Sequence, residues 1–115
     1  MCDEEIVNII ETKYPETCQE FKRIQKYQYL TFCKKQLDYG PGNISLGSTL
    51  ETFEERKASI SAIVVRLNDK LQRLINIVLR RGLSETANES VLDTFLDTSV
   101  YCIIAEIVNN KKWAK

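Results

Sequence analysis

The sequence predicts an all-α fold, a four-helix-bundle-like single domain over residues 1–115 that is completed by dimerisation. Three observations point there. No segment alternates apolar and polar residues with period two between turn signals, so no strand is indicated. Glycine and proline are sparse, and their one cluster, Gly40-Pro41-Gly42-Asn43, cannot lie inside a helix. Elsewhere apolar residues recur at helical spacing, most clearly at Ile60, Ile63, Val64, Leu67, Leu71, Leu74, Ile75 and Val78.

The elements follow in chain order. A short acidic helix is expected over about 3–11. Pro15 suits the first turn of a second helix, whose fixed φ it pre-sets, and Phe21, Ile24, Tyr27, Leu30 and Cys33 carry that helix to about residue 37. Gly40–Asn43 is then a loop. The stretch 51–80 reads as a long helix with the apolar stripe as its core face, closed by Arg80-Arg81-Gly82. Its mixed-charge start, including Glu51 and Glu54, reads as a solvated face, and a break near Ala58-Ser59 fits the weak periodicity there. A last helix begins near Asn88-Glu89 and ends near Asn110.

Composition excludes several function classes. The chain has no histidine, which removes Ser-His-Asp and Cys-His nucleophiles, His-ligated metals and the commonest general base. Cys2, Cys18, Cys33 and Cys102 form no CxxC pair and read as idle thiols. Lys+Arg and Asp+Glu are both 16, so net charge gives no reason to expect duplex nucleic acid as a partner. No apolar run reaches the roughly 18–20 residues of a membrane span. The acidic N-terminal stretch lacks the apolar core of a signal peptide, and the expected location is the cytoplasm.

Candidate chemistry concentrates on the last two helices. On a wheel at about 100° per residue with Leu92 at zero, Leu96, Val100, Ile103, Ile104 and Ile107 fall between roughly 20° and 120°. Glu89, Asp93 and Asp97 fall at about 60°, 100° and 140° on the same wheel, inside or beside that apolar sector. Carboxylates so placed are neutralised, paired or holding a cation, and their i,i+4 stacking is what a helix-borne hard-metal site requires. Acids at a helix start joined to an edge ion pair would give the same pattern. On the long helix Arg66, Asp69 and Arg73 share the face opposite the apolar stripe, with Lys70 and Asn76 at its margins. That face is either solvated or a site where Asp69 joins the metal set while Arg66, Lys70 and Arg73 contact phosphate. Tyr39 and Asn43 beside Lys34 and Lys35 are ordinary helix-stop residues that could also hold a nucleotide.

Three blocks together carry a resemblance: KKQLDYGPGN at 34–43, VRLNDKLQRLIN at 65–76 and ESVLDTFLDTSVYCII at 89–104. They resemble the nucleotide modification associated domain family of phages and bacteria, over about residues 20–108. Through its helical layout that family is similar to the MazG-like all-α nucleotide pyrophosphohydrolases. The resemblance implies a homo-oligomeric, nucleotide-binding protein that uses Mg²⁺ to split a free or modified nucleoside triphosphate into monophosphate and pyrophosphate. Asp69, Asp93 and Asp97 would ligate the ion, and Glu89 would be a further ligand or the base for water. Arg66, Lys70 and Arg73 would offset phosphate charge, while Lys34, Tyr39 and Asn43 would contact the rest of the nucleotide. The MazG-like enzymes carry a Glu-x-x-Glu pair that this long helix lacks, having only Asp69 there. The alternative is therefore a non-catalytic module, for example a phage protein that sequesters a nucleotide defence signal. A third alternative makes the acids and arginines an ion-pair network between helices.

Overall fold

The computed structural model describes residues 1–115 and contains five α-helices, one π-helical segment and no strand. The chain divides into two compact units, Met1–Lys35 and Gln36–Lys115. In the first, α1 (Asp3–Lys13) opens with Asp3, Glu4 and Glu5 in its first turn and closes with Lys13, each charge matched to the helix dipole. It stops at Tyr14 (φ −131°, ψ 65°), because the residue before a proline is driven out of the α region. Pro15 starts α2 (Pro15–Tyr39), as its position predicts. Lys22 Nζ donates to Glu11 Oε2 at 2.9 Å across the two helices.

Neither α1 nor α2 buries a single residue. The apolar residues of α2 mark a helix, as their spacing predicts, but define no single face. Residues three apart on an α-helix advance about 300°, so the run Phe21, Ile24, Tyr27, Leu30, Cys33 drifts about 60° per step and winds around the helix instead of defining a face. All five are exposed.

In the second unit α2 ends against Gly40, whose φ of 67° supplies the left-handed turn and whose N–H reaches Gln36 O at 2.8 Å. The expected loop is partly helical, since Gly42–Ser45 forms one turn, α3. The stretch from Pro41 to Glu51 is pinned from three sides. The Ser59 hydroxyl donates to Ile44 O at 2.7 Å, Arg56 donates to Leu50 O at 3.1 Å and to Glu51 O at 2.7 Å, and Trp113 Nε1 donates to Pro41 O at 3.1 Å. Lys115 pairs with Glu51 and holds its carboxyl below the usual range.

The helix α4 (Phe53–Leu74) runs unbroken through Ala58-Ser59. It starts with a capping box: Thr52 Oγ1 accepts from the Glu55 N–H at 3.1 Å, and Glu55 Oε1 accepts from the Thr52 N–H at 3.1 Å. The Thr-x-x-Glu spacing was there to be read, and it makes Glu55 a cap rather than part of a solvated charge run. Those donors hold the Glu55 carboxyl below its ordinary value, the backbone N–H of Thr52 contributing most. A depressed pKa in the folded state contributes stability that is full above the ordinary Glu value and is lost as pH falls through the depressed one. Following the Glu55 carboxyl by NMR should therefore place its midpoint below that of a free Glu, and Thr52→Ala should raise it while costing about 1 kcal/mol of stability. An ordinary midpoint in the parent protein would contradict the cap.

A six-residue π-helical segment, Ile75–Arg80, extends α4, with the Arg81 N–H reaching back to Asn76 O at 2.9 Å. Gly82, at φ 84°, ends it as expected. The last helix, α5 (Glu85–Asn109), starts three to four residues before the expected site, capped by Ser84 Oγ on the Ala87 N–H at 3.3 Å. It packs on α4, and the core of the unit is Ile44, Leu50, Ile63, Val91, Val100, Ile104, Val108 and Trp113, with Ser59 and Thr94 buried among them. Every buried side-chain nitrogen and oxygen has a hydrogen-bond partner. No helix is long and apolar enough to cross a membrane.

Candidate functional site: a cationic row between two helices

Contacts along α4 and α5 pair Arg73 with Ser90 and Thr94, Lys70 with Asp97, and Arg66 with Tyr101. Residue numbers fall on one helix as they rise on the other, so the two run antiparallel. The face of α4 turned to α5 is the one that carries Arg66, Lys70 and Arg73, together with Ser59 and Ile63. The sequence-based stripe is the packed face only in part, since Ile60, Leu67, Leu74, Ile75 and Val78 are half-buried. Of the eight apolar stripe residues only Ile63 is fully buried, and Val64 and Leu71 are 57% and 53% exposed.

The three cations are held differently. Arg66 donates to the Asn43 carbonyl at 3.0 Å, and its guanidinium lies 5.8 Å from the Tyr101 ring centre. Lys70 Nζ lies 5.7 Å from the same ring and 3.3 Å from Asp97 Oδ2, both side chains about a quarter exposed. Arg73 donates to the Ser90 carbonyl at 3.4 Å and to the hydroxyls of Ser90 and Thr94. Thr94 is itself fixed, donating to Ser90 O at 3.0 Å, and is 4% exposed. A guanidinium anchored by neutral oxygens keeps its full charge, and one over an aromatic face gains a cation–π contact.

The acids are distributed otherwise than the wheel predicts. The buried residues of α5 (Val91, Thr94, Val100, Ile104 and Val108) centre near 160° on that wheel, not in the 20–120° sector. Apolar residues lie nearly all round α5, which leaves the packed face undefined until α4 is in place. Only Asp97 then reaches the helix interface, where Lys70 takes it. Glu89 and Asp93 sit to one side, exposed, and Asp69 is exposed on α4. No group of three or more His, Cys, Asp or Glu side chains is gathered so as to hold a metal. The set Asp69, Asp93 and Asp97, with Glu89, therefore does not fit a Mg²⁺ ion as one chain arranges it: one ligand is ion-paired and the others stand apart in solvent.

Of the remaining expected contacts, the structure brings Asn43 to the row through its backbone carbonyl rather than its amide. Tyr39, 71% exposed, is the last residue of α2, and Lys34 is an exposed α2 residue of the first unit. Tyr101, Ser90 and Thr94 were not singled out from the sequence. Tyr101 had a signal, standing four residues after Asp97 on the same helix edge; the two hydroxyls became visible only with the true face of α5. Comparison with protein-family models, with curated proteins and with solved structures finds no match to this chain.

Proposed function

We propose that this protein binds a nucleotide through its phosphate groups along Arg66, Lys70 and Arg73 and leaves it intact. The observation that carries this reading is that Arg66 and Arg73 are positioned by a carbonyl, hydroxyls and a ring face. Guanidinium donates to phosphate oxygens in pairs, and two oriented forks on one helix edge offer two anchoring points to an anionic ligand. Tyr101 beside them offers a ring for the base or sugar. The motif blocks resembling the nucleotide modification associated family support the same ligand class. Capture is favoured over Mg²⁺-dependent hydrolysis because the carboxylates that would hold an ion are not assembled. A structural role as an inter-helix clamp is the second reading, favoured by the fact that each of the three cations already has a partner within the chain.

Titrating the protein calorimetrically with nucleoside triphosphates and cyclic dinucleotides, with and without Mg²⁺, and then resolving each mixture by chromatography separates these readings. Binding of at least one nucleotide, recovered unchanged, is the expected result. Pyrophosphate release that needs Mg²⁺ and disappears in Asp97→Asn would replace capture by hydrolysis. No heat with any nucleotide would leave the clamp.

A further inference from the structure

Lys70 lies between the two guanidinium forks of the row, four residues after Arg66 and three before Arg73, so the three cations share one edge of α4. They are held by different chemistry. Arg66 donates to the Asn43 carbonyl, and Arg73 donates to the Ser90 carbonyl and to the hydroxyls of Ser90 and Thr94. These acceptors are neutral, and a guanidinium keeps further N–H donors beyond them. Lys70 instead meets a carboxylate, with Asp97 Oδ2 3.3 Å from its Nζ and both side chains about a quarter exposed. The Tyr101 ring, 5.7 Å from the same Nζ, restrains it further. We propose that Asp97 is a specificity-determining residue of the phosphate site: it withholds Lys70, so that the row takes phosphate at its two forks and gains little from a phosphate placed between them.

The inference rests on the phosphate reading proposed above and names what limits that site. An ammonium is a compact point charge, and a carboxylate already beside it competes directly with a phosphate oxygen. The two anions also repel each other, and partial burial leaves that repulsion less screened than it would be in open solvent. Three cations and one acid leave the row the net charge of two cations, which is what the forks of Arg66 and Arg73 already supply. The neighbouring acids, Asp93 one turn earlier on α5 and Asp69 on α4, are exposed, so Asp97 is the carboxylate that reaches the row.

Calorimetric titration of the full chain with inorganic monophosphate and with inorganic triphosphate, in magnesium-free buffer, tests this. Asp97→Asn keeps the shape of the side chain and releases Lys70. The variant should bind triphosphate about tenfold or more tightly than the parent, with an affinity that falls more steeply as salt is added. Monophosphate, which one fork satisfies, should gain less than about threefold. A role for Asp97 in packing alone would leave this preference unchanged. Lys70→Met combined with Asp97→Asn removes the pair without stranding either charge, and serves even where Asp97→Asn alone fails to fold. The paired variant should bind triphosphate within about threefold of the parent, because it removes a cation that the ligand does not use. A folded Asp97→Asn whose triphosphate affinity equals or falls below the parent's overturns the proposal and leaves the phosphate site standing, as does a loss of about tenfold in the paired variant. Absence of triphosphate binding by the parent and both variants overturns the proposal together with the phosphate reading.

Discussion

Trp113→Ala is expected to destabilise the protein by about 3–5 kcal/mol, the range for removing a buried large aromatic. The ring is 6% exposed, and its Nε1 holds the Pro41 carbonyl at 3.1 Å, tying the C-terminal end of the chain to the turn that leads into α3. Truncation removes both the packed surface and that tie. For a domain of this size each kcal/mol moves the melting midpoint by about 4–8 °C, so the midpoint should fall by tens of degrees or the protein should be unfolded at room temperature. Trp113→Phe separates the two contributions. It keeps an aromatic ring in the core but loses the donor and part of the ring, and it should cost about 1–3 kcal/mol, less than Trp113→Ala. Circular dichroism melts measure both; a Trp113→Ala midpoint within a few degrees of the parent would show that the C-terminal residues do not close the core.

Ile63→Ala is the second large effect, expected at about 2–5 kcal/mol. Ile63 is 1% exposed and is the one stripe residue that is fully buried. Its neighbour Val64 is 57% exposed, so Val64→Ala should cost less than about 1 kcal/mol. The contrast between adjacent positions reports the orientation of α4 directly. Were Val64 in the core with Ile63, the two substitutions would cost similar amounts. Denaturant unfolding followed by the fluorescence of Trp113, the one tryptophan, measures both.

The helices themselves were legible in the sequence because their punctuation is strong. Pro15, the Gly40–Asn43 cluster and Gly82 act through local backbone preference, which needs no tertiary partner. Which face each helix buries was legible only in part. An apolar stripe identifies a surface that avoids water, yet it does not say whether the cover is another part of the chain or another molecule. On α4 the packed side instead combines Ser59 and Ile63 with three cations, satisfied by Asn43, Tyr101, Asp97, Ser90 and Thr94. The π-helical segment left no signal, since a single wider turn does not alter composition. Among candidate site residues, the cationic row survives as a spatial unit because it is local to one helix. The acidic set depended on the phase of α5, and a rotation of that face was enough to leave Glu89 and Asp93 in solvent.

Inorganic triphosphate provides the most direct test of the proposed site, since it presents the phosphate chemistry without a base. Calorimetric titration of the parent protein and of Arg66→Gln should show binding that weakens with added salt, and a loss of tenfold or more in the variant. The variant's melting midpoint should stay within several degrees of the parent's, because Arg66 gives up one hydrogen bond to Asn43 O and one cation–π contact with Tyr101. Equal affinity in the two proteins, or no binding by either, would contradict the assignment of the cationic row as a phosphate site.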